Sequence, residues 1–299
     1  MLHKLWIRFD YGVFLPFLTF LPNSWSRFLA SMRGYLYSLL KRDWRSFSFG
    51  DHDLWQRTYK AYKAIFPKLS HEELLKLVQK RYMFQSVEEY EGVLLDKNKF
   101  SDIQIRYIGV EKIETYIATH PHVVFITAHF GSSLLGITLL KKLNLPLLVM
   151  SSNVVAHEKV NPVITNFFLK KYAGIGRYMN GGEVLDIEGN GKKFLKFLKT
   201  QGSLVVIADL PPNHPNEIPL WKEFFGQRRG FASGAQKLAD SCNSLIIPFV
   251  CYFENNSYVV KFGDLDKDAY VFLEEEIRQR PEMWWASDIL ELLYKEEKK

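Results

Sequence analysis

Two side chains in this sequence stand where an acid–base reaction could be run. His129 follows the run Val123-Val124-Phe125-Ile126-Thr127-Ala128, and Asp209 follows Ser203-Leu204-Val205-Val206-Ile207-Ala208. Short apolar, β-branched runs of this kind read as strands buried on both faces of a parallel sheet. Each ionisable group is therefore expected at the carboxyl end of a strand, the edge of an open α/β sheet where ligands bind. A histidine there can act as a general base; a purely structural histidine is the alternative. A carboxylate at such a strand end is costly to bury unless it is paired. Asp209 thus partners His129 or a substrate cation, or else it caps a helix or anchors a loop.

Other polar residues gather near these two. Gly131 marks a tight turn into a helix over 134–143, and Ser132 and Ser133 read as caps of that helix. They are not read as nucleophiles, because no nucleophile-elbow pattern surrounds them. Asn153 closes the strand over 146–150 at another carboxyl end. Pro211, Pro212, Pro215 and Pro219 force an extended loop leading to Phe224-Phe225-Gly226-Gln227-Arg228-Arg229-Gly230. Arg228 and Arg229 offer planar forks to substrate phosphates or to a phosphopantetheine arm; a solvated basic turn is the alternative. No Cys/His cluster has zinc spacing, and there is neither a phosphate loop nor a dinucleotide fingerprint. No metal or nucleotide cofactor is expected, and Cys242 and Cys251 read as reduced thiols of a cytoplasmic protein.

The elements that must position these residues can be read in order. Residues 55–66 have a helical pattern ending at Pro67, and Ser70 with Glu73 makes a capping box for a helix through Tyr82 toward Tyr90. Glu88, Glu89 and Glu91 read as its solvated face. A strand over 103–108 and a helix over 110–119 lead to the His129 strand. Asn161 caps a helix whose first turn holds Pro162, and helices over 192–200 and 232–241 follow. Strands over 245–253 and 257–262 are joined by a Glu254-Asn255-Asn256 turn. The fold class is α/β: a largely parallel central sheet with helices on both faces, preceded by a hydrophobic, amphipathic helical segment. The chain divides at 1–45, a membrane-associating segment, and 46–299, a single α/β domain.

Net charge is +6 over 299 residues, and it is unevenly placed. Residues 1–45 carry seven Lys and Arg against Asp10 and Asp43, a balance of +5. Residues 11–22 form an uncharged run of 12, against the roughly 20 needed to span a bilayer, and Pro16 interrupts it. Trp25, Phe28, Leu29, Met32, Leu36, Leu39 and Leu40 recur at helical spacing. Basic charge mixed with bulky apolar residues suits an anionic membrane surface from the cytoplasmic side, and it disfavours nucleic acid. Packing of this segment onto the core is the alternative.

Taken in order, His129-Phe130-Gly131, Asp209, Phe224-Phe225-Gly226, Ala232-Ser233-Gly234, Glu276-Ile277-Arg278 and Pro281-Glu282-Met283-Trp284-Trp285 resemble the late acyltransferases of lipid A biosynthesis, within the lysophospholipid acyltransferase superfamily. The resemblance implies a peripheral enzyme on the cytoplasmic face of the bacterial inner membrane. It implies acyl transfer from an acyl carrier protein, or coenzyme A, to a hydroxyl of a glycolipid such as lipid A. The implied general base is His129, with no cofactor beyond the donor's own phosphopantetheine thioester. The family's orienting acid stands five positions after the histidine; here that residue is Leu134. Ser152 and Leu210 also depart from the family's arginine and glutamine. Asp209 is the preferred substitute partner for His129. Two other readings follow from the departure: transfer of an aminoacyl group such as glycyl, and a non-catalytic relative that binds lipid or carrier.

Overall fold

A computed structural model describes residues 2–99, 103–152, 157–179, 183–212, 214 and 216–296. Its strands in chain order are β1 (Gln104–Ile108), β2 (Val124–Thr127), β3 (Leu147–Ser151), β4 (Val184–Asp186) and β5 (Ser203–Ile207). They continue as β6 (Leu220–Phe224), β7 (Gln227–Phe231), β8 (Ile246–Glu254), β9 (Ser257–Phe262) and β10 (Tyr294–Lys295). Seven of them form one sheet in the order β1-β9-β8-β2-β5-β3-β4. Every neighbouring pair is parallel except β8 and β9. That hairpin turns through Asn255 and Asn256, both with positive φ, as a two-residue turn requires.

The apolar run before His129 serves both faces of this sheet, which explains why it does not alternate. Val124 and Ile126 join one core with Leu204, Phe194 and Trp284. Val123 and Phe125 join the other with Val205, Ile247 and Leu135. β2 and β5 run side by side with Thr127 opposite Ile207. Two residues beyond that register stand His129 and Asp209.

The helices are α1 (Leu2–Phe9), α2 (Leu15–Leu18), α3 (Asn23–Leu40), α4 (Trp44–Phe49), α5 (Leu54–Ile65) and α6 (His71–Lys97). After them come α7 (Val110–Ile117), α8 (Ser133–Leu139), α9 (Pro162–Gly176), α10 (Gly191–Thr200), α11 (Gly234–Cys242) and α12 (Ala269–Gln279). The capping box at Ser70 forms, and Asn161 accepts from the Val163 amide at 3.0 Å. α6 is longer than its sequence pattern predicts because α3 and α9 cover its second half. Glu88, Glu89 and Glu91 are accordingly buried, at 5, 4 and 2% exposure, and not solvated. They are tolerated because Lys171, Arg33 and Arg27 pair with them.

The stretch expected as an extended loop ends in a second small sheet, β10-β7-β6. Phe225 and Gly226 make its two-residue turn with φ of 52° and 71°. The charged Gln227-Arg228-Arg229 hides the strand from a hydrophobic pattern; Pro215 lies outside the described residues. Among the described residues no helix is long and apolar enough to cross a membrane. α1, α2 and α3, with the π-helical turn Asp10–Phe14 between the first two, bury one face through Ile7, Tyr11, Leu15, Leu18 and Ala30. The opposite face stays bare: Leu5, Trp6, Phe9, Val13, Phe17, Phe20, Trp25, Phe28, Met32, Leu36, Leu39 and Leu40 are all exposed.

Candidate active site

Past β2 the chain turns sharply through Gly131, whose φ is 54°; a Cβ at this position would come within 2.4 Å of the Cys251 carbonyl oxygen. Only glycine fits there. The Gly131 amide donates to the Met283 carbonyl and the Ser132 amide to the Cys251 carbonyl, both at 2.8 Å. The Trp285 amide donates to the His129 carbonyl at 3.1 Å. The loop carrying His129 is thus fixed from one side by β8 and from the other by the C-terminal segment.

Asp209 answers it from the end of β5. Its Oδ1 lies 2.8 Å from His129 Nδ1, and its Oδ2 accepts from the His129 amide at 3.0 Å. The indole of Trp284, itself fully buried, donates to the same Oδ2 at 2.7 Å. Burial alone would push the Asp209 carboxyl up, but His129 and these hydrogen bonds outweigh it and hold the carboxyl below its usual range. A carboxylate at Nδ1 fixes the neutral imidazole with its proton on that nitrogen and leaves Nε2 as the base. His129 keeps 17% of its side chain exposed while Asp209 keeps 1%.

His129 opens on a cavity of about 220 Å³ whose lining is mixed, mostly apolar and aromatic with a set of charged and polar side chains. Its apolar residues include Leu134, Val149, Ile175, Val184, Ile207 and Leu210; its polar ones include Arg45, Gln85, Glu88, Glu89 and Lys171. Lys171 Nζ donates to both oxygens of Glu88 at 2.7 and 2.8 Å. Arg33 bridges Glu89 and Asp10, the first at 2.7 Å, so this polar set is tied to the N-terminal helices. Burial raises the carboxyls of Glu88 and Glu89 despite Lys171 and Arg33 beside them.

The remaining candidates fall elsewhere. Ser132 and Ser133 are buried, and neither side chain caps α8: Ser132 stands at the cap position without a cap hydrogen bond. With Gly131, Ser132 borders a separate small void beside Glu91 and Arg27. Phe225 and Gly226 form the β6–β7 turn, where the Phe225 ring lies 5.7 Å from that of Trp284. Arg228 pairs with Glu296 at the surface, and Arg229 is buried against the Leu290 carbonyl. None of these lines the cavity, and Asn153 lies outside the described residues. Among the described residues no group of His, Cys, Asp and Glu could hold a metal ion, and both cysteines are free.

A family model described as bacterial lipid A biosynthesis acyltransferase matches residues 2–264. The chain belongs to that family. No curated protein shows significant sequence similarity to it. The region matched to the lipid A acyltransferases holds His129, Asp209 and the whole cavity wall on α6 and α9, whereas Trp284 and Trp285 lie beyond it. Leu134, the residue in place of the expected acid, lines the cavity and packs into the core with Ile137 and Ile175. Sequence pattern assigns no site role to Trp284, Lys171 or Gln85. A tryptophan indole bonded to a buried carboxylate leaves no periodic trace; the one signal near it is the Pro-Glu-x-Trp segment that ends at Trp284.

Proposed function

We propose that this chain transfers an acyl group from a thioester to a hydroxyl of a lipid A-type glycolipid, with His129 as general base and Asp209 as its orienting carboxylate. The observation that carries the reading is the 2.8 Å contact between His129 Nδ1 and Asp209 Oδ1, which replaces the acid missing at Leu134. Nε2 takes the proton of the acceptor hydroxyl as its oxygen bonds to the thioester carbon. The tetrahedral intermediate then expels the thiolate, which recovers that proton from the imidazolium. The donor is the phosphopantetheine thioester of a carrier protein, or of coenzyme A.

The exposed apolar face of α1, α2 and α3, with Lys4, Arg8, Lys41 and Arg42 around it, rests on the cytoplasmic leaflet of the inner membrane. Access to an amphiphilic acceptor follows from that placement.

A second reading concerns the acyl group. Arg45, Gln85, Glu88, Glu89 and Lys171 line the cavity together with its apolar residues, and they offer a hydrogen-bonding group at the acyl end a partner that an alkyl chain cannot use. These polar groups therefore favour a short acyl group with a polar end, such as an aminoacyl group.

Lipid mass spectrometry of cells carrying the wild-type chain or His129→Ala tests both. A mass increment present with the wild type and absent with His129→Ala is expected, and its size names the group transferred. An increment retained in the variant would remove His129 from the role of base, and no increment with the wild type would make this a non-catalytic lipid- or carrier-binding relative.

A further inference from the structure

A second cleft lies on the far end of α6, between that end, the close of α3 and the start of α5. It is about 420 Å³ in volume and is lined by Ser38, Leu39, Lys41, Trp55, His71, Leu75 and Gln79. Among the described residues its one charged side chain is the Lys41 cation. Lys41, His71 and Gln79 offer donors, and among the described residues no carboxylate lines the cleft. Two nearby acids are engaged elsewhere: Glu72 pairs with Lys76 at 2.7 Å, and Glu73 is held in the Ser70 capping box.

An aromatic platform forms one side. Trp55 and Tyr59 are stacked with centroids 5.9 Å apart and planes within 6°, and the Tyr59 hydroxyl lies 2.8 Å from His71 Nδ1. The Lys41 ammonium sits 4.6 Å over the Trp55 ring. Lys41 ends α3 in the left-handed conformation, φ 54°, which glycine or asparagine occupies at least cost. A lysine held there and aimed over a tryptophan is a feature that helix termination does not require.

Leu39 decides what kind of anion fits. It lines this cleft and also belongs to the bare apolar face of α3, beside Leu36 and Leu40. A free anion would use Lys41 and leave Leu39, Leu75 and Trp55 wet; an amphiphile uses both. We propose that the cleft binds the phosphate-bearing headgroup of an anionic membrane lipid, whose chain lies along the exposed face of α3. This rests on the reading that α1–α3 sit on a membrane, and it adds a discrete lipid site apart from the His129 cavity.

The test is co-sedimentation of the full chain with phosphatidylcholine vesicles, alone or containing phosphatidylglycerol. Lys41→Asn suits the left-handed backbone, so a loss with it is not unfolding. It should cut the preference for phosphatidylglycerol about tenfold, the scale of a charge-assisted hydrogen bond, and Trp55→Ala should cut it several-fold by removing the ring that holds the Lys41 ammonium. Lys60→Ala removes an exposed charge outside the cleft and should cost about fivefold or less, as diffuse surface attraction does. Equal losses for Lys41→Asn and Lys60→Ala would overturn the site while leaving membrane docking intact. Release of the protein by soluble glycerol phosphate as readily as by added lipid would overturn it in favour of a free-anion site. Phe28→Asp with Leu36→Asp should weaken binding to both vesicle types; unchanged binding to both would sink the membrane reading and the lipid site with it.

Discussion

Asp209 and the pair Glu88–Glu89 are almost equally buried, yet they are shifted in opposite directions. Asp209 receives three hydrogen bonds, from the His129 ring, the His129 amide and the Trp284 indole, and it stays ionised. Glu88 relies on Lys171, and Glu89 chiefly on Arg33, while their neighbours Glu91 and Asp10 add like charge. At Asp209 the donors overcome desolvation; at Glu89 the Arg33 cation is shared with Asp10 and, even with the Tyr11 hydroxyl and the Gln85 amide beside it, does not. The first arrangement suits proton transfer, since its carboxylate must keep its charge. The second suits a wall that meets a polar substrate, since its carboxyls lie on the cavity lining.

The sharpest way to separate the two is turnover. Asp209→Asn should lower the rate by about 10³–10⁴-fold, as neutralising the orienting acid of a catalytic triad does, with the fold kept. Glu88→Gln should leave turnover within about tenfold while altering which donor is preferred, because Glu88 bonds to Lys171 and not to His129 or Asp209. Initial rates with a series of acyl and aminoacyl thioesters measure both. A loss with Glu88→Gln as large as with Asp209→Asn would erase the distinction.

Stability should rank them the other way. Lys171→Met leaves Glu88 buried without its cation and should cost about 3–5 kcal/mol, whereas pairing that change with Glu88→Gln should recover much of the loss. Urea midpoints of the single and double variants give the comparison. Equal costs for the two would mean that Glu88 already carries its proton in the folded chain.

Trp284→Phe probes the dyad more gently. The ring still fills the space against Phe224 and Phe225, but Asp209 loses one donor worth roughly 1.5–3 kcal/mol. That donor lowers the Asp209 carboxyl, so without it the acid limb of the pH–rate profile should move to higher pH. A slower enzyme with an unmoved limb would leave Trp284 a packing residue only.

Sequence pattern carried the central sheet well, because a strand buried on both faces of a parallel sheet is a short continuous apolar run bounded by turn residues. It also placed His129 and Asp209 at strand ends, from which strand register alone brings them together. It failed where burial is set by distant partners. Glu88, Glu89 and Glu91 look like a solvated stripe until α3 and α9 bring Arg27, Arg33 and Lys171 against them. It failed again at Phe225-Gly226, where a two-residue turn joins strands too charged to show a period. The Leu134 departure is visible in the sequence, but the Trp284 indole that donates to Asp209 is not, since no spacing rule links residues 75 positions apart.

The smallest effect is on stability against pH, and here the two regions pull apart by sign. Glu88 and Glu89 have raised folded pKa values, so the folded chain keeps protons that the unfolded chain, titrating near about 4.3, has already released. Stability from this wall therefore falls as pH rises through that window and grows as pH is lowered into it. Asp209 is lowered, so its contribution is whole above about 3.9 and is lost only as pH falls through its folded value. Urea midpoints should accordingly rise on moving from neutral to mildly acidic solution and drop in stronger acid. Combining Glu88→Gln with Glu89→Gln should flatten the first limb alone, and Asp209→Asn should shrink the acid drop alone, leaving the part carried by Asp43, Asp51 and Glu73, whose carboxyls are lowered as well. Loss of both limbs in either variant would show that the carboxylates titrate as one coupled cluster, and the contrast between dyad and wall would then be one of position and not of electrostatics.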